Sequence, residues 1–351
     1  MRAARVVAPR RVEIESVRVP HPGPFQARLR LEGCGVCGSN LAVWRGRPWF
    51  KYPLKPGAPG HEGWGWIDEV GAEVTKFRPG DRVAFLSDQA YAEYDIAEAD
   101  SLVPLPPSTA IFPGEALGCA INVFRRCDIH AGQTVAVIGV GFMGALLVQL
   151  AARRGAEVIA ISRRHFALGI ARRSGAVETM ALENHQAIVA RVMERTCGLG
   201  CERVIEAVGE QEALELASEL VRVRGRLIIA GYHQDSYRRI NMQLWNWRGI
   251  DVVNAHEREA QRYVEGMQAA AEKVGQGSLD PSPLYTHSFP LEEFAAAFTA
   301  LEDRPDGFLK AWIRMENKNP KFEIRNSKQL PNDQKISSKQ ARRGFRSVIA
   351  I

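Results

Sequence analysis

Three side chains of types that bind metal ions precede a glycine-rich segment in this chain. Cys37, His61 and Glu115 offer a thiolate, an imidazole and a carboxylate, and residues 139–144 read Gly-Val-Gly-Phe-Met-Gly. Thiolate and imidazole suit Zn²⁺, and a catalytic zinc site keeps three protein ligands and one open position. Glycines at this spacing are typical of a loop that binds a dinucleotide. This order combines a candidate Lewis acid with a candidate hydride carrier.

The glycine segment lies between a predicted strand and a predicted helix, the context in which such a loop binds a dinucleotide. The apolar run 134–138 predicts a strand buried on both faces, and residues 145–154 predict a helix. The first glycine allows a tight turn, the second lets the backbone approach a pyrophosphate, and the third lets the helix pack closely. The predicted cofactor-binding residues here are Gly139, Val140, Gly141, Phe142, Met143 and Gly144.

The end of the second predicted strand, residues 157–161, indicates which dinucleotide is bound. NAD-binding enzymes usually place an acidic residue there, but this chain continues with Ser162, Arg163 and Arg164. A carboxylate would repel a 2′-phosphate, whereas a hydroxyl and guanidinium groups bind one. These residues favour NADP over NAD, although the arginines are also compatible with a solvated helix start.

Two later loops follow predicted strands of the same sheet. Parallel strands end at one edge of a sheet, so both loops are expected to flank the nicotinamide. Their predicted cofactor-binding residues are Val208, Gly209, Ala230, Gly231 and Tyr232.

The order of elements predicts two domains. Residues 1–122 contain short strands broken by glycine and proline turns, which indicates a small β-rich barrel. Residues 123–257 alternate strands and helices, as in a doubly wound parallel sheet. Residues 258–316 are expected to return to the first domain, and the polar segment 317–351 is predicted to be a disordered basic tail.

Composition limits the classes of function. The 351-residue chain has a formal charge of +6, but residues 317–351 alone carry +7, which leaves −1 for the remainder. A nucleic-acid groove needs basic residues spread over a folded face, so the charge distribution argues against a nucleic-acid partner. No apolar run predicts a membrane span and no secretory signal is recognisable, so a cytoplasmic location with six cysteine thiols is expected.

Three separated motifs resemble those of the zinc-containing medium-chain dehydrogenases/reductases, the alcohol dehydrogenase superfamily. They are Gly-Cys-Gly-Val-Cys-Gly-Ser-Asn at 33–40, Gly-His-Glu-Gly at 60–63 and Pro-Gly-Asp-Arg-Val at 79–83. With the glycine loop, the resemblance extends to about residue 316. It implies a GroES-like catalytic domain joined to a Rossmann cofactor domain, and a homo-oligomer, either a dimer or a tetramer.

The resemblance also implies a ligand set for one catalytic zinc. Cys37 and His61 occupy the positions of the first two ligands, and Glu115 or Cys119 supplies the third. Glu115 lies 24 residues before Gly139, which is the spacing of the Glu-Pro-Leu motif in polyol (sorbitol-type) dehydrogenases, so we favour Glu115. Glu62 matches an acid that either joins the metal or lies behind it.

Two departures from the family bear on the chemistry. Residues 84–94 lack the cysteines of the lobe that holds a structural zinc, so a single zinc ion is expected. The usual relay histidine is replaced by Ala42, so Ser39 is the expected acceptor of the hydroxyl proton, with Glu62 as a further candidate in proton transfer.

The implied activity is the interconversion of a secondary alcohol and its ketone by hydride transfer. The sorbitol-type ligand set favours a polyol, diol, sugar alcohol or amino alcohol that binds zinc through two oxygens or an oxygen and a nitrogen. A zinc-free quinone or enoyl reductase of the same superfamily and a non-catalytic dinucleotide-binding relative remain alternatives. Two segments are candidates for either the substrate pocket or the core and subunit contacts: the segment 254–257 and the aromatic residues Trp44, Trp49, Phe50 and Tyr52.

Overall fold

The computed structural model describes residues 1–106 and 109–316. The predicted disordered tail, residues 317–351, lies outside the described residues. Within the described ranges, no helix is both long and apolar enough to cross a membrane.

Short strands form the first part of the fold. Strands β1 (Arg2–Ala8) and β2 (Arg11–Ser16) pair as an antiparallel hairpin. The next five strands are β3 (Gln26–Gly35), β4 (Gly63–Val70), β5 (Arg82–Phe85), β6 (Tyr94–Glu98) and β7 (Leu102–Pro104). Four of them, β3, β4, β5 and β7, follow one another in a mostly antiparallel sheet, and β6 also pairs with β3.

A six-stranded parallel sheet forms the second part. Its strands are β8 (Thr134–Ile138), β9 (Glu157–Ser162), β10 (Glu178–Ala181), β11 (Cys201–Glu206), β12 (Val221–Ile229) and β13 (Asp251–Asn254). They lie in the order β10-β9-β8-β11-β12-β13, and all neighbouring pairs are parallel. The order reverses beside β8, which is where an open sheet of this type binds its ligand.

Nine α-helices connect or cover the strands within the described residues. They are α1 (Leu41–Trp44), α2 (Gly114–Cys127), α3 (Phe142–Arg153), α4 (His165–Arg173), α5 (His185–Arg195), α6 (Gln211–Leu220), α7 (Met242–Arg248), α8 (Ala260–Gly275) and α9 (Phe294–Asp303). The parallel sheet is covered on both faces, because successive side chains of β8 enter two different hydrophobic clusters. The predicted fold class, a GroES-like domain with a Rossmann-type parallel sheet, is confirmed.

The last two strands return to the first sheet. Strands β14 (Tyr285–Pro290) and β15 (Lys310–Arg314) are parallel to each other, and β15 pairs antiparallel with β3. Ile313 lies opposite Cys34 in this pairing. The chain therefore brings a segment from its end beside the residues that precede Cys37.

Trp44 and Trp49, two of the candidates for the substrate pocket, differ in burial and in aromatic packing. Trp44 is 2% exposed and its ring centroid lies 5.1 Å from that of Phe298. Phe294 stacks on Phe298 at 4.5 Å and contacts Tyr91 at 4.9 Å. Trp44 is thus a core residue, which joins α1 to α9, whereas Trp49 is 58% exposed.

Two elements differ in length from the sequence prediction. Helix α3 begins at Phe142, three residues before the predicted start at residue 145, and strand β11 ends at Glu206 although the apolar pattern continues to Val208. The carboxylate of Glu206 accepts hydrogen bonds from the backbone N–H groups of Val208 and Gly209, which turns the chain away from the sheet. Hydrophobicity alone does not reveal this side-chain turn.

Candidate metal and cofactor site

Cys37 lies just beyond β3, where the chain turns into a 3₁₀ segment, Gly38–Asn40. The backbone N–H of Asn40 donates to the Cys37 carbonyl at 3.1 Å and closes this turn. The Ser39 hydroxyl donates to Cys37 Sγ at 3.3 Å. The turn thus holds the thiol and the hydroxyl on the same side of the chain. The neighbouring Cys34 is fully buried, and its thiol contacts the Gly35 carbonyl at 3.5 Å.

His61 and Glu62 immediately precede β4. Nδ1 of His61 lies 3.0 Å from the Pro59 carbonyl, so this nitrogen carries the proton and Nε2 is directed into the site. A ring anchored in this way is the usual arrangement of a histidine that binds a metal through its other nitrogen.

The strand and turn bring three possible metal ligands together. One ligand atom each from Cys37, His61 and Glu62 lies within 4.8 Å of the other two, the only such group in the part of the chain that the structure describes. Two of these residues are half-buried and Glu62 is fully buried. A thiolate, an imidazole nitrogen and a carboxylate oxygen form a donor set that fits Zn²⁺.

Glu115 approaches this group from the first turn of α2. Its Oε2 lies 4.0 Å from His61 Nε2, and its Oε1 accepts a contact from Cys119 Sγ at 3.1 Å. Glu115 and Cys119 lie four residues apart and therefore on the same face of the helix. Both third-ligand candidates face the site, with the carboxylate beside His61.

Lys310 is a member of the site that the sequence analysis missed. Its ammonium lies 2.7 Å and 2.6 Å from the two carboxylate oxygens of Glu62. The two side chains are only 6% and 0% exposed, so the ion pair is buried. Lys310 Nζ also lies 4.9 Å from the ring centroid of Phe142, at the start of α3. A lysine within the apolar run Phe308–Ile313 was the signal in the sequence.

The site has an excess of negative groups around His61. Burial lowers the pKa of His61, but Cys37, Glu115 and Glu62 outweigh this effect and raise the pKa to about 10. Burial is the main cause of the raised pKa of Glu115, with repulsion from Glu62 adding to it. A protonated imidazole here supplies the positive charge that a divalent cation would supply, so the electrostatics also fit a metal site.

The glycine loop has the conformation that its spacing predicts. Gly139 has φ of +94°, a left-handed conformation that favours glycine. A Cβ on Gly144 would lie 1.9 Å from the Gly139 carbonyl oxygen, so helix α3 packs against the loop too closely for any side chain. A Cβ on Gly141 would meet no atom within 4 Å. Gly141 therefore faces open space at the start of α3, where unpaired N–H groups attract a phosphate.

Inside the loop, the other three predicted residues have different environments. Val140 is 1% and Phe142 9% exposed, and the Phe142 ring packs 5.9 Å from that of Tyr285. Met143 is partly buried and packs against the core. The loop offers backbone rather than side chains to a ligand.

At the end of β9, the three predicted selectivity residues diverge. Ser162 is buried, and its Oγ accepts from the Arg164 backbone N–H at 3.4 Å. The Arg164 guanidinium donates to the carbonyls of Val140 and Phe308. Arg163 is exposed. Arg164 thus ties the strand end to the glycine loop, while Arg163 is free to meet a ligand.

The loops that follow β11 and β12 are organised by Glu206, a buried acid that the sequence analysis missed. Besides the bonds to Val208 and Gly209, its Oε2 lies 2.9 Å from His233 Nε2. Its carbonyl accepts from the N–H groups of Ala230 and Gly231, both at 2.8 Å. One residue therefore holds both loops together.

The remaining two predicted residues of these loops lie at the same edge. Val208 packs against the glycine loop, because a Cβ on Gly139 would come within 2.5 Å of Val208 Cγ2. Tyr232 is 44% exposed and its ring lies 5.4 Å from that of His256. The sheet edge thus joins the glycine loop to the two later loops.

Comparison with known proteins agrees with this arrangement. The alcohol dehydrogenase GroES-like domain matches residues 23–107, and the zinc-binding dehydrogenase domain matches residues 143–272. An alcohol dehydrogenase from Rhizobium meliloti (strain 1021) is 30% identical over 251 residues, which are 62% of this chain and 73% of that protein. Sorbitol dehydrogenase from Gallus gallus is 27% identical over 328 residues, 82% of this chain and 89% of that protein.

The solved structures share the fold at low sequence identity. Galactitol-1-phosphate dehydrogenase from Escherichia coli superposes with a TM-score of 0.78 and 21% identity, covering 90% of this chain and 100% of that one. The chain belongs to the zinc-binding medium-chain alcohol dehydrogenase family and is an oxidoreductase of the alcohol dehydrogenase class. The resemblance stated from the motifs is confirmed.

Gly141→Ala should weaken cofactor binding without destabilising the protein. The added methyl group meets no protein atom, but it occupies the space through which a pyrophosphate reaches the backbone, so we expect the Kd for NADPH to rise about tenfold or more. Fluorescence titration measures the Kd and urea unfolding measures stability.

Gly144→Ala is the matched control, because its methyl group collides with the Gly139 carbonyl. It should lower the free energy of unfolding by about 1–3 kcal/mol. Unchanged NADPH binding by Gly141→Ala would mean that the pyrophosphate does not approach the loop on this side.

Proposed function

We propose that the protein is a zinc- and NADP-dependent dehydrogenase that interconverts a secondary alcohol, of the polyol, diol, sugar or amino-alcohol type, and its ketone. The observation that carries this proposal is the grouping of Cys37, His61 and Glu62, with the Glu115 carboxylate 4.0 Å from His61, close to the start of the glycine-loop helix. Lys310 spans the two regions, because it contacts Glu62 on one side and the Phe142 ring on the other.

Cys37 Sγ, His61 Nε2 and the Glu115 carboxylate would hold the zinc. Zinc bound by three such ligands supplies a Lewis acid that lowers the pKa of an alcohol hydroxyl. Glu62 is a less suitable permanent ligand, because both of its oxygens lie within 2.7 Å of the Lys310 ammonium. Binding a metal through Glu62 would break a buried ion pair, which is costly. We assign Glu62 to orienting Lys310 and His61 rather than to the metal.

Ser39 would accept the proton that leaves the substrate hydroxyl. Its Oγ lies 3.3 Å from Cys37 Sγ, so it is within reach of an alcohol that is held next to the thiolate. Because a serine hydroxyl can only relay a proton, Ser39 would give up its own hydroxyl proton to water as it takes the one from the substrate. The nicotinamide, when bound, would supply the hydride acceptor.

The sheet edge supports NADP as the preferred dinucleotide. No acidic residue lies at the end of β9. Ser162, Arg163 and Arg164 stand there instead and provide a hydroxyl and two guanidinium groups. Residues 123–257 would form the cofactor-binding domain, while 1–122 and 258–316 would form the catalytic domain, with helix α2 crossing the first boundary.

Two features support the substrate class. A sorbitol dehydrogenase is among the relatives, and Glu115 would provide the carboxylate ligand that the motif resemblance implies for the sorbitol-type branch. Trp49, which is exposed beyond the metal cysteine, is a candidate for the pocket wall.

All six cysteines are free thiols, which supports the cytoplasmic location expected from the sequence.

We also propose a homo-oligomer, built on the edge strand β13. Among the strands that the structure describes, β13 pairs only with β12, and Val252 on it is 37% exposed. Trp247 and Tyr237 nearby in sequence are 86% and 99% exposed. An open strand edge with apolar side chains is suited to pairing with a second copy. A monomer at micromolar concentrations in analytical ultracentrifugation would contradict this proposal.

The experiment that tests the proposed function combines metal analysis with a substrate panel. The purified protein should contain about one zinc per chain and oxidise at least one diol, polyol or amino alcohol with NADP. Cys37→Ser should lose both the zinc and the turnover, because it removes a thiolate ligand. A zinc-free protein that reduces quinones with NADPH would establish the alternative reductase, and failure to turn over any substrate would favour a non-catalytic role.

The third ligand can be identified with a matched pair of variants. Glu115→Ala should reduce the bound zinc at least about tenfold, whereas Cys119→Ala, one helical turn away, should retain it. The expected difference follows from the position of the Glu115 carboxylate beside His61 Nε2. Zinc content after dialysis against a weak chelator is the measurement. Zinc loss in Cys119→Ala alone would make Cys119 the third ligand.

A further inference from the structure

Arg304 is an arginine that neither the motifs nor the proposed mechanism uses. It follows helix α9 and adopts a left-handed conformation with φ of 48° and ψ of 62°. Its backbone N–H donates to the Ala300 carbonyl at 2.9 Å and closes the helix. The chain then turns through Pro305 to Phe308, whose backbone carbonyl accepts from the Arg164 guanidinium.

This hydrogen bond brings the turn after α9 to the end of β9. Arg164 also donates to the Val140 carbonyl at 3.3 Å, so the turn, the strand end and the glycine loop meet around a single guanidinium group. Arg304, in the turn after α9, consequently lies near Arg163 and Arg164 at the strand end, close enough for the three charges to repel one another. We call these three residues the arginine cluster.

The arginine cluster forms no ion pair with a carboxylate among the described residues. Within residues 1–106 and 109–316, no Asp or Glu oxygen lies within 4.0 Å of any of the three guanidinium groups. The nearby Arg45, by contrast, is paired with Glu302 at 2.7 Å. Three guanidinium groups that lie near one another without a carboxylate ion pair among the described residues are an arrangement suited to an anion.

Mutual repulsion supports this interpretation. Burial is the main cause of the lowered pKa of Arg164, and repulsion from Arg304 and Arg163 adds to it. Burial also lowers the pKa of Arg304, together with repulsion from Arg163 and Arg45, while Glu210 offsets only part of the effect. A bound dianion would remove this repulsion.

The position of the cluster indicates which anion would bind. The end of the second strand of a dinucleotide-binding sheet is where the adenosine ribose lies, whereas the pyrophosphate lies at the start of the first helix. Ser162 and Arg163 therefore face the ribose 2′ position. A phosphate attached there would lie among the three guanidinium groups.

We propose that Arg304 binds the 2′-phosphate of NADP together with Arg163, so that this phosphate connects the segment after α9 to the cofactor sheet. Arg164 orients the cluster through its two carbonyl bonds. This inference rests on the NADP preference given under the proposed function, and it adds a selectivity residue located 141 positions after Arg163 in the chain.

Arg304→Asn tests the proposal, because asparagine tolerates the left-handed conformation and removes the charge. Arg224→Asn is the matched control, since Arg224 likewise has a positive φ, of 56°, and lies in β12 near the opposite end of the sheet. Fluorescence titration with NADPH and NADH gives both Kd values without requiring zinc or turnover. Competition by 2′,5′-ADP and 5′-AMP repeats the comparison with the 2′-phosphate as the only difference.

We expect Arg304→Asn to raise the Kd for NADPH about 10- to 100-fold and to leave that for NADH within about twofold, as for the loss of a hydrogen bond to a charged group. Arg304→Lys should restore part of the affinity for NADPH. Arg224→Asn should bind both cofactors as the unaltered protein does.

Three other results would overturn the inference in distinguishable ways. If the unaltered protein prefers NADPH and Arg304→Asn keeps the same preference, the NADP proposal survives and the role of Arg304 fails. If Arg304→Asn weakens NADPH and NADH equally, Arg304 does not bind the 2′-phosphate. If the unaltered protein binds NADH more tightly, the NADP proposal itself fails and the inference fails with it.

Discussion

The buried ion pair between Glu62 and Lys310 is the constraint on which the arrangement of the site depends. Two charges removed from water are tolerated only when they neutralise each other, and removing one partner of such a pair typically costs about 3–5 kcal/mol. Glu62 follows the metal-site histidine directly, and Lys310 begins the strand that returns from the end of the fold. The pair therefore ties the start of β15 to the start of β4, on the two sides of β3, at the position of His61.

Lys310 also links the candidate metal site to the start of the glycine-loop helix. Its ammonium lies against the ring of Phe142, the first residue of the glycine-loop helix. A displacement of β15 would consequently disturb both the carboxylate behind His61 and the start of the helix that faces the cofactor. Lys310 also limits the negative charge of the site, since it neutralises Glu62 and leaves Cys37 and Glu115 to attract a cation.

The two ends of the proposed cofactor site carry charges of opposite sign. Carboxylates and a thiol surround His61 at one end, which suits a metal ion. At the other end, three guanidinium groups gather after β9 and suit a phosphate. The buried carboxylate of Glu206 needs no ligand to balance its charge, because it already accepts hydrogen bonds from backbone N–H groups and lies beside His233. Glu206 instead sets the shape of the loops beside the glycine segment.

The sequence alone determined those features that depend on neighbouring residues. The apolar run 134–138 and the spacing of Gly139, Gly141 and Gly144 specify a strand, a turn and a helix start, because backbone conformation and close packing act over a few residues. The motif around Cys37 and that around His61 likewise identified the family. The tertiary structure decided which distant residues join them. Lys310 reaches Glu62 across 248 positions, and the Phe308 carbonyl, beyond α9, meets Arg164 at the end of β9 across 144 positions. Such pairings depend on the return of β15 to β3, and local patterns of hydrophobicity carry no information about which strands become neighbours.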